Sequence, residues 1–219
     1  MKNYRRKSFN CVELCCVVSI LSAAVAVLLP AEIRAQQKLC EDKLRQMGQA
    51  AQVYAADNGG WLPFSGLDWP TKNKLGGKMD AWIDGSAPSR NIDRFVCPAD
   101  DVPLDKRQSC GNKIWLGLEG GGAAWAPISY GVNLVISGAP NNQYCQPHTL
   151  KSIEQPKDCF LVADATTRDI CEKSRFSFRH DKKTNAVFVD GHTAELDEAA
   201  IPVFKSNLTQ SFWVGGGDE

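Results

Sequence analysis

The chain opens with a short basic leader and then turns apolar over about the length that crosses a bilayer. Met1 to Ser8 carries Lys2, Arg5, Arg6 and Lys7 and no acid. From Phe9 the sequence is predominantly apolar to Ala31, with one carboxylate at Glu13 and no charged residue from Leu14 to Leu29. That charge-free core is slightly shorter than the roughly 20 residues that span a bilayer unaided, and the flanks Phe9–Val12 and Pro30–Ala31 supply the remainder. Beyond Glu32 the pattern changes to a single apolar stripe, Ile33, Cys40, Leu44, Met47, Ala51 and Tyr54, with spacings of 7, 4, 3, 4 and 3. This predicts an amphipathic helix with one buried face to Asn58, stopped by Gly59-Gly60. An unbroken helix from Phe9 to Asn58 would be roughly 75 Å long. The stripe is marginal in length for a coiled-coil partner.

After the helix the periodicity weakens. Asp57 to Gly122 is rich in Gly, Pro, Asp and Trp, and Trp61, Trp69, Trp82, Trp115 and Trp125 are expected to anchor long loops by burying large aromatic areas. Trp115–Leu118, Ile128–Ile136 and Asp158–Asp164 are candidate strands. The C-terminal third is the clearest β region. Arg175–His180 alternates with period two, Asn185–Val189 is apolar, Asp190-Gly191 suits a two-residue hairpin turn, and His192–Leu196 returns. The expectation is a three-stranded antiparallel meander over 175–196 packed on the helix's apolar face. The fold class is α+β: a long N-terminal helix on an antiparallel β-sheet, with 59–219 as one globular domain.

Charge narrows the function. From Phe9 onward there are 21 basic and 25 acidic side chains, a net charge of about −4, which speaks against nucleic acid as a partner. Beyond the apolar segment lie six cysteines, Cys40, Cys97, Cys110, Cys145, Cys159 and Cys171, an even number that suits disulfides in an exported domain. The pairings expected are Cys40–Cys97, pinning the helix to the globular part, and Cys159–Cys171, closing a hairpin-like loop. No pair of the six has Cys-x-x-Cys spacing, so no metal is expected from them.

His180, Asp190 and His192, with Asp164, are the residues that invite catalytic or metal chemistry, since His and Asp at strand ends converge on a cation or act as an acid–base pair. The structural alternative is favoured: Asp190 builds the turn and His180 bonds a neighbouring backbone group. No Ser or Cys sits in a nucleophile motif, and phosphate-loop, dinucleotide and metalloprotease patterns are absent. No catalytic residue, metal or cofactor is therefore expected.

The N-terminus admits three readings. One is a secretory signal cleaved after Ala35 in Ile33-Arg34-Ala35, leaving a secreted hydrolase or binding protein that begins at Gln36. Another is a plain membrane anchor, its basic leader held in the cytoplasm. The third accounts for Glu13. Ser8-Phe9-Asn10-Cys11-Val12-Glu13-Leu14 resembles the class III signal of type IV prepilins and type II secretion pseudopilins. That resemblance implies cleavage between Ser8 and Phe9, N-methylation of Phe9 by the prepilin peptidase/methyltransferase, and pairing of Glu13 with the α-amine of a neighbouring subunit. Two charges costly alone in lipid become tolerable together. Pro30 falls where the family often has a helix-kinking proline, and Ser8 stands where it prefers glycine. Cys11, Cys15 and Cys16 read as small hydrophobes.

A second resemblance follows the helix. Cys40-Glu-Asp-Lys-Leu-Arg-Gln-Met-Gly, then Tyr54 and Asp57-Asn-Gly-Gly-Trp-Leu-Pro63, Cys97-Pro98, Ser129-Tyr-Gly-Val-Asn133, and His180 followed after nine residues by Asp190-Gly191, are similar to successive motifs of a bacterial family of prepilin-like proteins with an H-x9-DG signature. Lys43 replaces that family's asparagine. The resemblance implies a pilin-like, non-enzymatic subunit of a type II secretion pseudopilus or type IV pilus-like filament. It divides the chain into a cytoplasmic leader (1–8), a transmembrane or filament-core helix half (9–31), an amphipathic half (32–58) and a periplasmic or surface domain. Its partners would be other pilin or pseudopilin subunits, the processing peptidase and the inner membrane, crossed once.

Overall fold

The computed structural model describes residues 10–63, 95–100, 113–117, 123–138, 145, 147–167, 169–204 and 210–216. Ser8, Phe9, Trp69, Trp82 and Cys110 lie outside them. The fold is α+β, with one long N-terminal helix and a mixed five-stranded sheet.

The helix α1 runs from Cys11 to Asp57, 47 residues and about 70 Å. It continues through Pro30. At its start the Asn10 N–H donates to Glu13 Oε2 at 3.1 Å, so Glu13 satisfies one of the donors that a helix N-terminus leaves open. At its end Gly59 and Gly60 take positive φ, and the Gly60 N–H closes on the Ala55 carbonyl at 2.7 Å. The stripe divides the helix. Cys40, Leu44, Met47, Ala51 and Tyr54 are buried in the core, whereas Ile33 is exposed, so packing begins one or two turns later than the stripe predicts. In the first half Val12, Leu14, Val17, Val18, Ile20 and Leu21 are exposed. Among the described residues no helix is long and apolar enough to cross a membrane.

The sheet has the order β5-β3-β4-β6-β7. Its strands are β3 (Tyr130–Asn133), β4 (Phe160–Asp164), β5 (Asp169–Ile170), β6 (Lys183–Phe188) and β7 (Thr193–Asp197). Separately, β1 (Lys113–Gly117) pairs antiparallel with β2 (Ala123–Pro127). An all-antiparallel sheet was the expectation, but β5 joins β3 in parallel, so the sheet is mixed. The long candidate strand Ile128–Ile136 is cut to Tyr130–Asn133 because Asn133 turns the chain: its side chain caps a one-turn helix, Leu134–Ser137.

The expected meander is a hairpin. Arg175–His180 makes only isolated bridges, at Phe176 and His180, because a 3-10 turn precedes it and Asp181 and Lys182, both at positive φ, follow. The β6–β7 turn is longer than two residues. The Gly191 N–H donates to the Phe188 carbonyl and the Phe188 N–H to the His192 carbonyl, each at 2.9 Å, which leaves a three-residue loop, Val189–Gly191. Gly191 has φ +94, a conformation costly for a residue with a Cβ.

Both faces of the sheet are covered. Val132, Val162 and Val187 point to the helix and pack with Leu44, Met47 and Tyr54. Phe160, Ala163, Ala186 and Phe188 point the other way, to Trp213 and Val214 of the C-terminal helix Ser211–Val214. A bulge between Phe160 and Val162 places Leu161 and Val162 in succession on the helix side. Beyond it, strict alternation carries Asp164 of β4 and Asn185 of β6 to that same side.

Candidate functional site

Where the helix crosses the strand ends, four side chains from four segments meet. Cys40 projects from the first buried turn of α1. Cys97 lies in the short segment 95–100, Asp164 ends β4, and His180 stands just before β6. Cys40 and Asp164 are 0% exposed, Cys97 1% and His180 5%, and one donor atom from each lies within 4.8 Å of all the others.

The contacts are specific. Cys40 Sγ is 3.3 Å from Asp164 Oδ1 and 3.6 Å from Oδ2. His180 Nε2 is 3.3 Å from Cys97 Sγ and 3.3 Å from Asp164 Oδ2. Around them, the Tyr130 hydroxyl and Asn185 Nδ2 donate to Cys40 Sγ at 3.4 and 3.6 Å, and the Asn185 backbone N–H donates to Asp164 Oδ2 at 3.0 Å. A buried carboxylate without such donors would be costly.

The fold brings Cys97 in by three tethers. Lys43 Nζ donates to the Val96 carbonyl at 2.8 Å and so ties the helix to this segment. The Ser129 N–H bonds the Phe95 carbonyl at 2.8 Å, and the Ser129 hydroxyl donates to Asp100. Arg179, beside His180, pairs with Asp100 at 2.7 Å, with both side chains largely buried. Arg179 Nη2 also donates to the Ala165 carbonyl at 2.8 Å.

Proximity divides the charges unequally. The Cys97 thiol is held well below its ordinary range, chiefly by the hydrogen bond from Cys40 and further by that with His180. Cys40 is pushed up, because it is the donor to Cys97, it is buried, and it faces the charge of Asp164. Burial opposes a charged His180 ring, but hydrogen bonds to Asp164 and Cys97 outweigh it and raise His180 to about 9. Burial also raises Tyr130, which keeps its proton and remains a donor.

Sequence reasoning placed His180 with Asp164, Asp190 and His192; the structure keeps His180 with Asp164 and separates both from Asp190 and His192. Asp190 Oδ1 accepts from the His192 N–H at 3.1 Å and lies 2.6 Å from Nδ1, while the His192 ring stacks on Phe188. Asp190 thus builds the turn. The His180 backbone bridges Lys183, but its ring turns inward to Cys97 and Asp164 rather than to a backbone group. The expected disulfides are not formed. Cys40 and Cys97 are close but free, and Cys159 and Cys171 are also free. Cys159 is buried against β4 with its thiol on the Phe160 carbonyl, and the Cys145 thiol is pushed up to about 11, chiefly by burial and further by the charge of nearby Cys171. Trp61 is half exposed, whereas Trp213, not singled out from sequence, is fully buried. Each half of the cluster was visible, Cys40 with Cys97 as an expected disulfide and His180 with Asp164 as candidate chemistry, but their union went unseen because the four residues come from separated segments.

No protein-family model, no curated protein and no solved structure matches the chain.

Proposed function

We propose that the protein is a non-enzymatic, pseudopilin-like structural subunit. It is cut before Phe9 by a prepilin peptidase and assembled through the N-terminal half of its helix into a type II secretion pseudopilus or type IV pilus-like filament.

The observation that carries this reading is the division of labour along one helix. From Cys40 to Tyr54 the helix docks on the sheet. From Val12 to Leu21 it holds out apolar side chains, with a carboxylate on its first turn. A contiguous apolar surface of that kind calls for lipid or another protein rather than water. Glu13 then needs a cationic partner in the apolar medium, and the α-amine that cleavage would create at Phe9 of an adjacent subunit has the right charge. The partners are other pilin-like subunits, the peptidase and the inner membrane, with the globular domain in the periplasm or on a surface filament.

Intact mass and N-terminal sequencing of the protein recovered from its native membranes test this. N-methyl-Phe9 is the expected terminus. A chain beginning at Gln36 would mean a secreted protein, and an unprocessed chain a membrane-anchored module; either ends the subunit reading.

A further inference from the structure

We propose that Cys40 Sγ, Cys97 Sγ, Asp164 and His180 Nε2 form a closed, tetrahedral site for a zinc-class divalent ion that clamps the helix to the sheet. This does not depend on whether the protein assembles into a filament.

The geometry is the main argument. Zinc binds thiolate at about 2.3 Å and His nitrogen or carboxylate oxygen at about 2.0–2.2 Å, so a tetrahedron of two S, one N and one O has edges of roughly 3.3–3.8 Å. The Cys97–His180 separation is 3.3 Å, the His180–Asp164 separation 3.3 Å, and Cys40 lies 3.3 and 3.6 Å from the two Asp164 oxygens. The donor atoms that now hydrogen-bond one another are thus spaced as ligands around one ion would be, so an ion could replace the shared protons without moving the chain.

The chemistry of the donors selects the ion. Two soft sulfurs with one imidazole and one carboxylate suit zinc rather than calcium or magnesium, which prefer oxygen sets. All four donors belong to the protein and all are buried, so no position is left open for a substrate, and the site is structural in type. On binding, both thiols would release their protons to solvent, and His180 would ligate as the neutral ring through Nε2. Two thiolates and a carboxylate then balance most of their charge against the dication. The surrounding donors fit the same assignment: Tyr130 and Asn185 donate to Cys40 Sγ, and the Asn185 N–H holds Asp164 Oδ2. Such outer partners orient ligands and tune affinity.

A Cys40–Cys97 disulfide is the competing arrangement. It requires the sulfurs to close to about 2.05 Å, and it leaves His180 and Asp164 with no shared centre.

The test uses the full chain, purified in mild detergent under reducing conditions. One zinc per chain is expected by elemental mass spectrometry. Replacement by Co2+ should give the visible absorption of a tetrahedral site together with thiolate-to-cobalt charge transfer. Tyr130→Phe should keep the cobalt spectrum but weaken zinc binding about tenfold, by removing an outer-shell donor. Cys97→Ser should abolish the two-thiolate charge transfer. The wild-type chain provides a second readout that does not require the variant to fold: Cys40 and Cys97 should resist alkylation with zinc bound and react after chelation. A folded, reduced chain that takes up neither Zn2+ nor Co2+ overturns the proposal. So does a cobalt spectrum without thiolate charge transfer, or a Cys40–Cys97 disulfide found by non-reducing peptide mapping of the folded protein.

Discussion

Cys40 on the long helix and Asp164 at the end of β4 are 124 positions apart in the chain, yet Sγ and Oδ1 stand 3.3 Å apart. The contact sets where the helix lies on the sheet, because a shift of one helical residue would turn Cys40 away by about 100°. It also marks the boundary between the helix half that packs and the half that projects.

The close approach of helix and sheet depends on Gly48. A Cβ there would lie 2.6 Å from Val187 Cγ2. Gly48→Ala should gain about 1 kcal/mol in helix propensity but lose about 1–3 kcal/mol to overpacking against a stiff β-branched side chain. A net loss of about 1 kcal/mol is expected in urea unfolding. Adding Val187→Ala to Gly48→Ala should cost less than that substitution costs alone, since the two residues compete for one space. Strict additivity would mean that the helix simply moves.

Asn133 is the polar hub of the opposite face. Its Nδ2 donates to the carbonyls of Phe160 and Trp213, both at 2.9 Å, and its Oδ1 accepts from the Val135 N–H at 3.0 Å. Asn133→Ala should cost at least about 3 kcal/mol, since each of the three buried groups left unpaired costs about 1–3 kcal/mol. Asn133→Asp should be worse than Ala, because it keeps the acceptor, loses both donations and buries a charge. Chemical denaturation ranks the three proteins, and an Asp variant as stable as wild type would remove this account.

Glu13 has two roles that one pair of substitutions separates. Glu13→Gln preserves the reach of the side chain to the Asn10 N–H, since Glu and Gln both serve in a capping box, and abolishes the charge. Under the subunit reading Glu13→Gln and Glu13→Ala both export and fold like wild type, and both fail to co-assemble in filament pull-down. If the Gln variant assembles normally, capping is the whole role of Glu13 and the charge pair with Phe9 falls.

The helix is also tied to β7 by a carboxylate. Glu41 Oε1 accepts from the Thr193 hydroxyl at 2.8 Å and meets Arg45 at 2.8 Å. The Thr193 bond, with Lys38 and Arg45, holds the Glu41 carboxyl below its ordinary value of 4.5. A depressed carboxyl stabilises the fold fully above that ordinary value and loses its contribution as pH falls through the lower, folded one. Stability should therefore decline below pH 4.5, and Thr193→Val should make this decline shallower by removing the largest cause. The effect is small because the pair is partly exposed to solvent. Thermal unfolding of both proteins from pH 6 downward checks it, and parallel curves would exclude Thr193 as the cause.

Much of the scaffold was legible. The helix, its apolar stripe, its glycine stop and the β6–β7 return follow from periodicity and backbone chemistry, which act within a few residues. The errors share one cause. Arg175–His180 alternates like a strand, but Asp181 and Lys182 at positive φ turn it back at once, so it meets its neighbours only in isolated bridges at Phe176 and His180. Trp213 is as apolar as Trp61, yet only Trp213 meets a sheet face, while Trp61 is half exposed.

By itself the sequence determined the long helix with its glycine stop, the strand ending at Asp164, the β6–β7 return, and the division of the helix sequence into an apolar half and an amphipathic half. Local patterning carries that information, because side-chain spacing decides which face of an element avoids water. It also brought Cys40 together with Cys97, as an expected disulfide, and His180 with Asp164, but as two unrelated pairs. The tertiary structure alone decided that these two pairs share one buried centre, that Asp190 and His192 do not belong to it, and that the sheet has a parallel edge. The reason is physical: a site built from four distant segments exists only when helix and strands are packed in one register, and no spacing along the chain encodes that distance.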